Sequence, residues 1–192
     1  MFPTPNFVSL AQASAGVFFR SKGILRVDRM KGDYKVNKAE ILAHFRASMD
    51  WIEGMKEWEE ANWRSPIAEG KWTVAEVVGH LGPWDRFFLT DRLHPILNGE
   101  ALQPYPGFEQ FNAQSAELAR NQMKEQTIQE FLLTRKKLVD ELSAVPEAKW
   151  AEPFTIGTNT TTLESYFTGL VEHDEHHFEQ IRRALDLEGR WT

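Results

Sequence analysis

The chain has 192 residues, of which 42% are hydrophobic, and this length favours one well-buried domain over two. A formal net charge of −6 gives no electrostatic reason to expect nucleic acid or an anionic membrane as a partner. Because the chain has no cysteine, disulfides and thiolate ligands are excluded, and any metal must be held by His, Asp or Glu. These features, with no apolar run of about 20 residues, predict a cytoplasmic protein.

The first 29 residues differ in composition from the rest, because they hold several basic residues and one acidic residue, Asp28. They lack an apolar segment followed by a small-residue cleavage site, so secretion is not indicated. Met30 is an equally good start of the natural chain. We predict a peripheral, poorly ordered or loosely docked N-terminal extension over residues 1–36, a helical domain over residues 37–187, and a C-terminal tail over residues 188–192.

Four helix starts are predicted where an N-cap type of residue is followed by glutamate three positions later. These pairs are Asn37 with Glu40, Thr73 with Glu76, Thr127 with Glu130, and Thr161 with Glu164. Each precedes an amphipathic stretch, and residues 109–123 are predicted as the kinked first half of the third helix. Loops rich in Pro and Gly separate the helices, and no stretch alternates as a strand does. The pattern predicts an all-α four-helix bundle.

The last helix carries two histidines, His173 and His177, in its apolar stripe, with Asp174 placed towards the flank or the back. Two imidazoles four residues apart lie one turn apart on the same face, so both can bind one metal ion. The alternative is a pair of core histidines that are hydrogen-bonded to their neighbours. His176 falls at the edge of the stripe and is interpreted as a boundary residue or a neighbour of the ligands, with a surface position as the default.

The second helix supplies a third histidine, His80, beside its apolar face. Pro83 removes an amide hydrogen close to it, which predicts either a widened pocket or an ordinary proline kink. Three histidines from two helices would leave a coordination position open, as catalytic zinc sites do. His44 and His94 have no matching partner in the pattern and are predicted to be structural or surface residues.

Two segments together resemble the DinB superfamily, which includes YfiT-like metal-dependent hydrolases. They are residues 71–81, KWTVAEVVGHL, and residues 173–181, HDEHHFEQI, and the similarity extends from Asn37 to Leu187. The resemblance implies a four-helix bundle with an atypical connection order. It also implies a divalent metal, zinc or nickel, bound by three histidines that map onto His80, His173 and His177.

The resemblance implies a hydrolase or a thiol-dependent S-transferase that acts on a small molecule, with a low-molecular-weight thiol as one candidate. In such an enzyme the metal would activate water or a thiol. Glu76 and Gln180 lie one turn from the proposed ligands, but Glu76 has a capping role and Gln180 is equally consistent with solvent exposure, so no catalytic residue is assigned. The alternative is a non-enzymatic bundle that binds a metal or a small ligand. No nucleic acid or membrane partner is expected, and a homodimer is left open.

Overall fold

The computed structural model describes residues 36–103 and 105–187. The predicted extension, apart from Val36, and the predicted tail lie outside the described residues, so the predicted domain bounds stay a prediction. Five long helices are present: α1 Lys38–Gly54, α2 Val74–Phe88, α3 Phe108–Asn121, α4 Lys124–Ala144 and α5 Leu163–Ala184. No helix in the described part of the chain has the length and apolar character needed to cross a membrane.

Short segments connect the long helices. They are a 3-10 turn Met55–Glu57, the helices Glu60–Trp63, His94–Asn98 and Glu147–Trp150, and a π-helical turn Leu89–Leu93 that continues α2. Helix α2 passes through Pro83 without interruption. The structure also contains a small antiparallel hairpin, Phe154–Ile156 paired with Asn159–Thr161, which the sequence analysis did not predict. Strands of three residues are too short to show an alternating pattern.

Helices α1, α2, α4 and α5 form the bundle, which confirms the predicted all-α architecture. Helix α4 packs against both α1 and α2, α1 packs against α5, and α3 runs along α2. Two glycines allow these close approaches, because a Cβ at Gly79 would lie 2.3 Å from Ala119 Cβ and one at Gly82 would lie 3.1 Å from Thr134 Oγ1. Glycine is therefore required at position 79 for α3 to lie against α2.

Two of the four predicted capping boxes are present. Asn37 and Thr73 accept hydrogen bonds from the Glu40 and Glu76 amides, and both glutamates bond back. The other two predictions were wrong, because α4 begins at Lys124 and Thr162 caps α5 by accepting from the Ser165 amide. Residues 109–123 were also predicted wrongly, since α3 and α4 are separate helices with extended backbone at Gln122 and Met123.

The apolar stripes predicted from the sequence form the core, together with one arginine. Arg135 on α4 is fully buried, with its guanidinium carbon 4.7 Å from the ring centre of Phe45 and 4.9 Å from that of Phe131. Its Nε donates to Asp85 Oδ2 of α2 at 2.8 Å, and Nη1 and Nη2 donate to the two carboxylate oxygens of Asp174 of α5.

Helix α1 completes this network. Arg135 Nη1 also donates to Ser48 Oγ at 3.1 Å, and His44 Nε2 lies 3.3 Å from Asp174 Oδ2. Burial alone would raise the pKa of Asp174, but Arg135 holds it well below its usual range. Burial raises the pKa of Asp85 to about 7, against the opposing effect of Arg135. One buried cation therefore joins side chains from all four bundle helices, with Asp174 as its charged partner.

Replacing Arg135 should destabilise the protein strongly. In Arg135→Met the Asp174 carboxylate stays buried without its counter-charge, so the free energy of unfolding should fall by about 3 to 5 kcal/mol. Urea denaturation at neutral pH measures this loss. The matched control is Lys136→Met, which breaks an exposed ion pair with Asp140 and should cost less than about 1 kcal/mol. Equal losses in the two variants would contradict the structural role of Arg135.

Candidate metal centre

Three buried histidines meet between α2 and α5. The ring centre of His80 lies 5.4 Å from that of His173 and 4.6 Å from that of His177, and the latter two rings are 4.6 Å apart. One ring nitrogen of each histidine lies within 4.8 Å of the other two. The structure thus brings together all three residues that the sequence analysis selected.

Neighbouring acceptors set the orientation of two of the rings. His80 Nδ1 donates to the Val77 carbonyl at 2.5 Å, and His177 Nδ1 donates to Gln180 Oε1 at 2.9 Å. Because these oxygens only accept, the hydrogen of each ring is on Nδ1, and Nε2 keeps its lone pair. Gln180 therefore contacts a candidate ligand, whereas Glu76 is engaged by Thr73 and by Arg120 at 2.7 Å.

The centre has the donor set that a divalent metal needs. His80 Nε2 and His177 Nε2 are buried and have no hydrogen-bond partner, and the buried His173 Nδ1 makes no hydrogen bond but lies 4.0 Å from Asp174 Oδ1. Burial, reinforced by His173, lowers the pKa of His80 to about 3 and that of His177 well below its usual value, so both imidazoles are neutral. Neutral imidazole nitrogens without another partner suit zinc and nickel. The residues present therefore fit a divalent metal ion.

The other three histidines lie outside this cluster. His176 is exposed on α5, with its ring centre 5.4 Å from that of His177. His94 is exposed, with Nε2 3.9 Å from Glu141. His44 belongs to the Arg135 network through Asp174. These positions agree with the structural or surface roles expected from the sequence.

Asp174 is the residue that the sequence analysis placed wrongly. It was assigned to the flank or the back of the last helix, but it is fully buried beside His173 and paired with Arg135. A prediction from the apolar stripe of one helix places acidic residues on the outer face unless a buried partner is known. A signal was available, since Arg135 interrupts the stripe formed by Phe131 and Leu138 as the histidines interrupt theirs.

The chain matches a known protein family over most of its length. Residues 40–181 match the sequence profile of the DinB superfamily. The chain belongs to the DinB superfamily. No curated protein matches it in sequence.

Two solved structures of low sequence identity share the fold. One is YfiT from Bacillus subtilis, described as a probable metal-dependent hydrolase with an unusual four-helix bundle topology. It is 18% identical, with a TM-score of 0.64 over 83% of this chain and 94% of YfiT. The other is a protein from Streptococcus pneumoniae, 16% identical, with a TM-score of 0.58 over 82% of this chain and 94% of that protein.

Acid should destabilise the metal-free protein through its buried neutral histidines. The pKa of His80 is about 3 in the folded state against about 6.5 when exposed, so below pH 6.5 the unfolded chain binds more protons. The contribution of neutral His80 to the free energy of unfolding is fully present above pH 6.5 and decreases as the pH falls below that value. At pH 5.0 the loss should be on the order of 2 kcal/mol.

Urea denaturation of chelator-treated protein at pH 7.5 and pH 5.0 measures this loss. The control is His80→Phe, which keeps an aromatic ring in the core but cannot take up a proton. The wild type should lose more stability than this variant between the two pH values. Equal losses would show that His80 is not held neutral.

Proposed function

We propose that this protein is a metal-dependent hydrolase whose divalent ion is held by His80, His173 and His177. The observation that carries the proposal is the meeting of three buried imidazoles, each with a ring nitrogen that has no hydrogen-bond partner. The chain's membership of the DinB superfamily and the description of YfiT as a probable metal-dependent hydrolase support the same reaction class. Zinc and nickel are the metals that we propose.

The chain's own groups would present the ligands and shield the centre. The Val77 carbonyl and Gln180 fix two rings so that their Nε2 atoms point away from the hydrogen-bonded side. Trp72, whose ring centre is 5.1 Å from that of His80, covers one side with a half-buried aromatic ring. Three protein ligands leave at least one position for a small-molecule substrate, where a bound divalent ion supplies Lewis acidity.

The finer choices within this class are proposals too. A thiol-dependent S-transfer would use the same centre, with a low-molecular-weight thiol in place of water. A homodimer and a cytoplasmic location remain predictions from the sequence. A bundle that binds a metal without turnover is the non-enzymatic alternative, and the experiments below separate it from an enzyme.

Removing any one of the three histidines should abolish stoichiometric metal. We expect His80→Ala, His173→Ala and His177→Ala to retain only a small part of the wild-type zinc or nickel, because each loses a direct ligand. Elemental analysis after dialysis measures the content, and circular dichroism confirms that each variant is folded. His176→Ala, which changes an exposed neighbour, should keep the wild-type content. Unchanged metal in all three folded ligand variants would refute the site.

A substrate panel then tests the reaction. Metal-loaded wild type should hydrolyse at least one of a set of small ester, amide and epoxide substrates. A parallel set that includes organic halides as electrophiles, with small thiols added as nucleophiles, tests S-transfer. His177→Ala should lose this activity, while His176→Ala should retain it. Stoichiometric metal without turnover of any substrate in either set would favour the binding bundle.

Gln180 should act on the metal through His177. Gln180→Leu removes the acceptor that holds the ring, so metal affinity should fall by about 10-fold to 100-fold. Gln180→Glu keeps an acceptor oxygen at this position and should stay close to the wild-type affinity. Competition with a chromogenic chelator measures both variants. A Gln180→Leu protein that binds metal as tightly as the wild type would show that the contact with His177 has no such role.

A further inference from the structure

Arg92 is a second fully buried cation, in the π-helical turn that follows α2. In an α-helix the amide of residue 95 would donate to the carbonyl of Asp91, but Pro95 has no amide hydrogen. Arg92 Nη1 donates to that carbonyl at 2.6 Å. The side chain is thereby held back against its own turn, and π-helical turns of this kind are frequent at functional sites.

Two aromatic rings, 5.5 Å apart between their centres, pack against this guanidinium. Its central carbon lies 4.4 Å from the ring centre of Phe87 and 4.3 Å from that of Tyr105. Along one edge of the group, Nε and Nη2 are buried and neither makes a hydrogen bond.

These two nitrogens have a specific geometry. In any arginine the Nε and Nη2 hydrogens point in nearly the same direction, and this pair of donors matches the two oxygens of a carboxylate. The third nitrogen, Nη1, is the one that is already used by the Asp91 carbonyl. The unused donors of Arg92 therefore form one complete side-on fork.

Arg92 also has no acidic partner in the part of the chain that the structure describes. Arg92 contacts the Asp91 carbonyl and the two aromatic rings and lies near the neutral hydroxyls of Tyr105 and Tyr166, whereas Arg135 has two carboxylates. A buried charge without a partner is costly. A site of this kind gains most from a ligand that brings a negative charge.

Two tyrosine hydroxyls lie beside the cation. Tyr105 Oη and Tyr166 Oη are 2.8 Å apart. Burial raises the pKa of both hydroxyls, and Arg92 acts against this rise without cancelling it. Both groups are therefore neutral near pH 7 and add hydroxyl groups to the surroundings of the fork.

We propose that Arg92, with Tyr105 and Tyr166, binds a small carboxylate through its Nε and Nη2 edge. The site is separate from the histidine cluster, because Tyr166 precedes His173 by seven residues, or about 10 Å along α5. Tyr105 is half-buried, so its side of the site lies close to the protein surface.

Formate is the probe for this site, and chloride at the same ionic strength is its control, because a spherical ion cannot accept two parallel bonds. The thermal midpoint of the wild type should rise in a saturable way with formate, by about 5 to 10 °C at 100 times the dissociation constant. Chloride should give no such rise. A wild type that responds equally to the two anions, or to neither, would overturn the proposal.

Variants assign the effect to the fork. Arg92→Lys keeps the charge but loses the paired donors, so the formate response should vanish while metal content stays as in the wild type. Arg86→Lys, an exposed neighbour on α2, should respond as the wild type does. An Arg92→Lys protein that keeps the full response would refute the assignment.

Nuclear magnetic resonance gives a second measurement that needs no variant to fold. The assigned Nε–H signal of Arg92 in the wild type should shift in a saturable way as formate is added, with the same dissociation constant as the thermal data. An Nε–H signal that does not move while the thermal midpoint rises would place the carboxylate elsewhere.

Discussion

The structure depends on one buried cation. Arg135 packs its guanidinium against two phenylalanine rings, and its donors reach α1, α2 and α5 from α4. A buried charge is stable only when its counter-charges and hydrogen bonds are complete. The four helices must therefore keep the rotation and the height at which Ser48, Asp85 and Asp174 meet Arg135. Apolar packing alone sets these positions less strictly, because the hydrophobic effect is non-directional.

The candidate metal centre follows from this constraint. Asp174 follows His173 directly and lies three residues before His177 on the same helix. Its ion pair with Arg135 therefore fixes the rotation of α5 about its axis. With α5 in that rotation, His173 and His177 face α2. On α2, Asp85 is bound to the same arginine, and His80 lies five residues earlier on the helix. The network thus determines where the three imidazoles meet, without contributing a ligand.

The two buried arginines show how similar side chains acquire different roles. Arg135 is matched by two carboxylates, so its charge is satisfied within the protein and its role is structural. Arg92 packs against Phe87 and Tyr105 and uses one nitrogen on a backbone carbonyl, which leaves two donors without a hydrogen bond. A structural ion pair is complete by itself, whereas a binding group keeps donors for its ligand.

The sequence by itself determined the bundle and the identity of the histidines. Apolar spacing and the caps at Asn37 and Thr73 define helices, and His80, His173 and His177 interrupt apolar stripes where polar rings need a reason to be buried. The same periodicity placed Asp174 wrongly, because it describes one helix at a time. Only the tertiary structure decided that Arg135 meets Asp174, that Gln180 orients His177 and that Arg92 lacks a counter-charge. The reason is physical: whether a polar side chain is buried depends on partners from other helices, and the spacing within one helix contains no information about them.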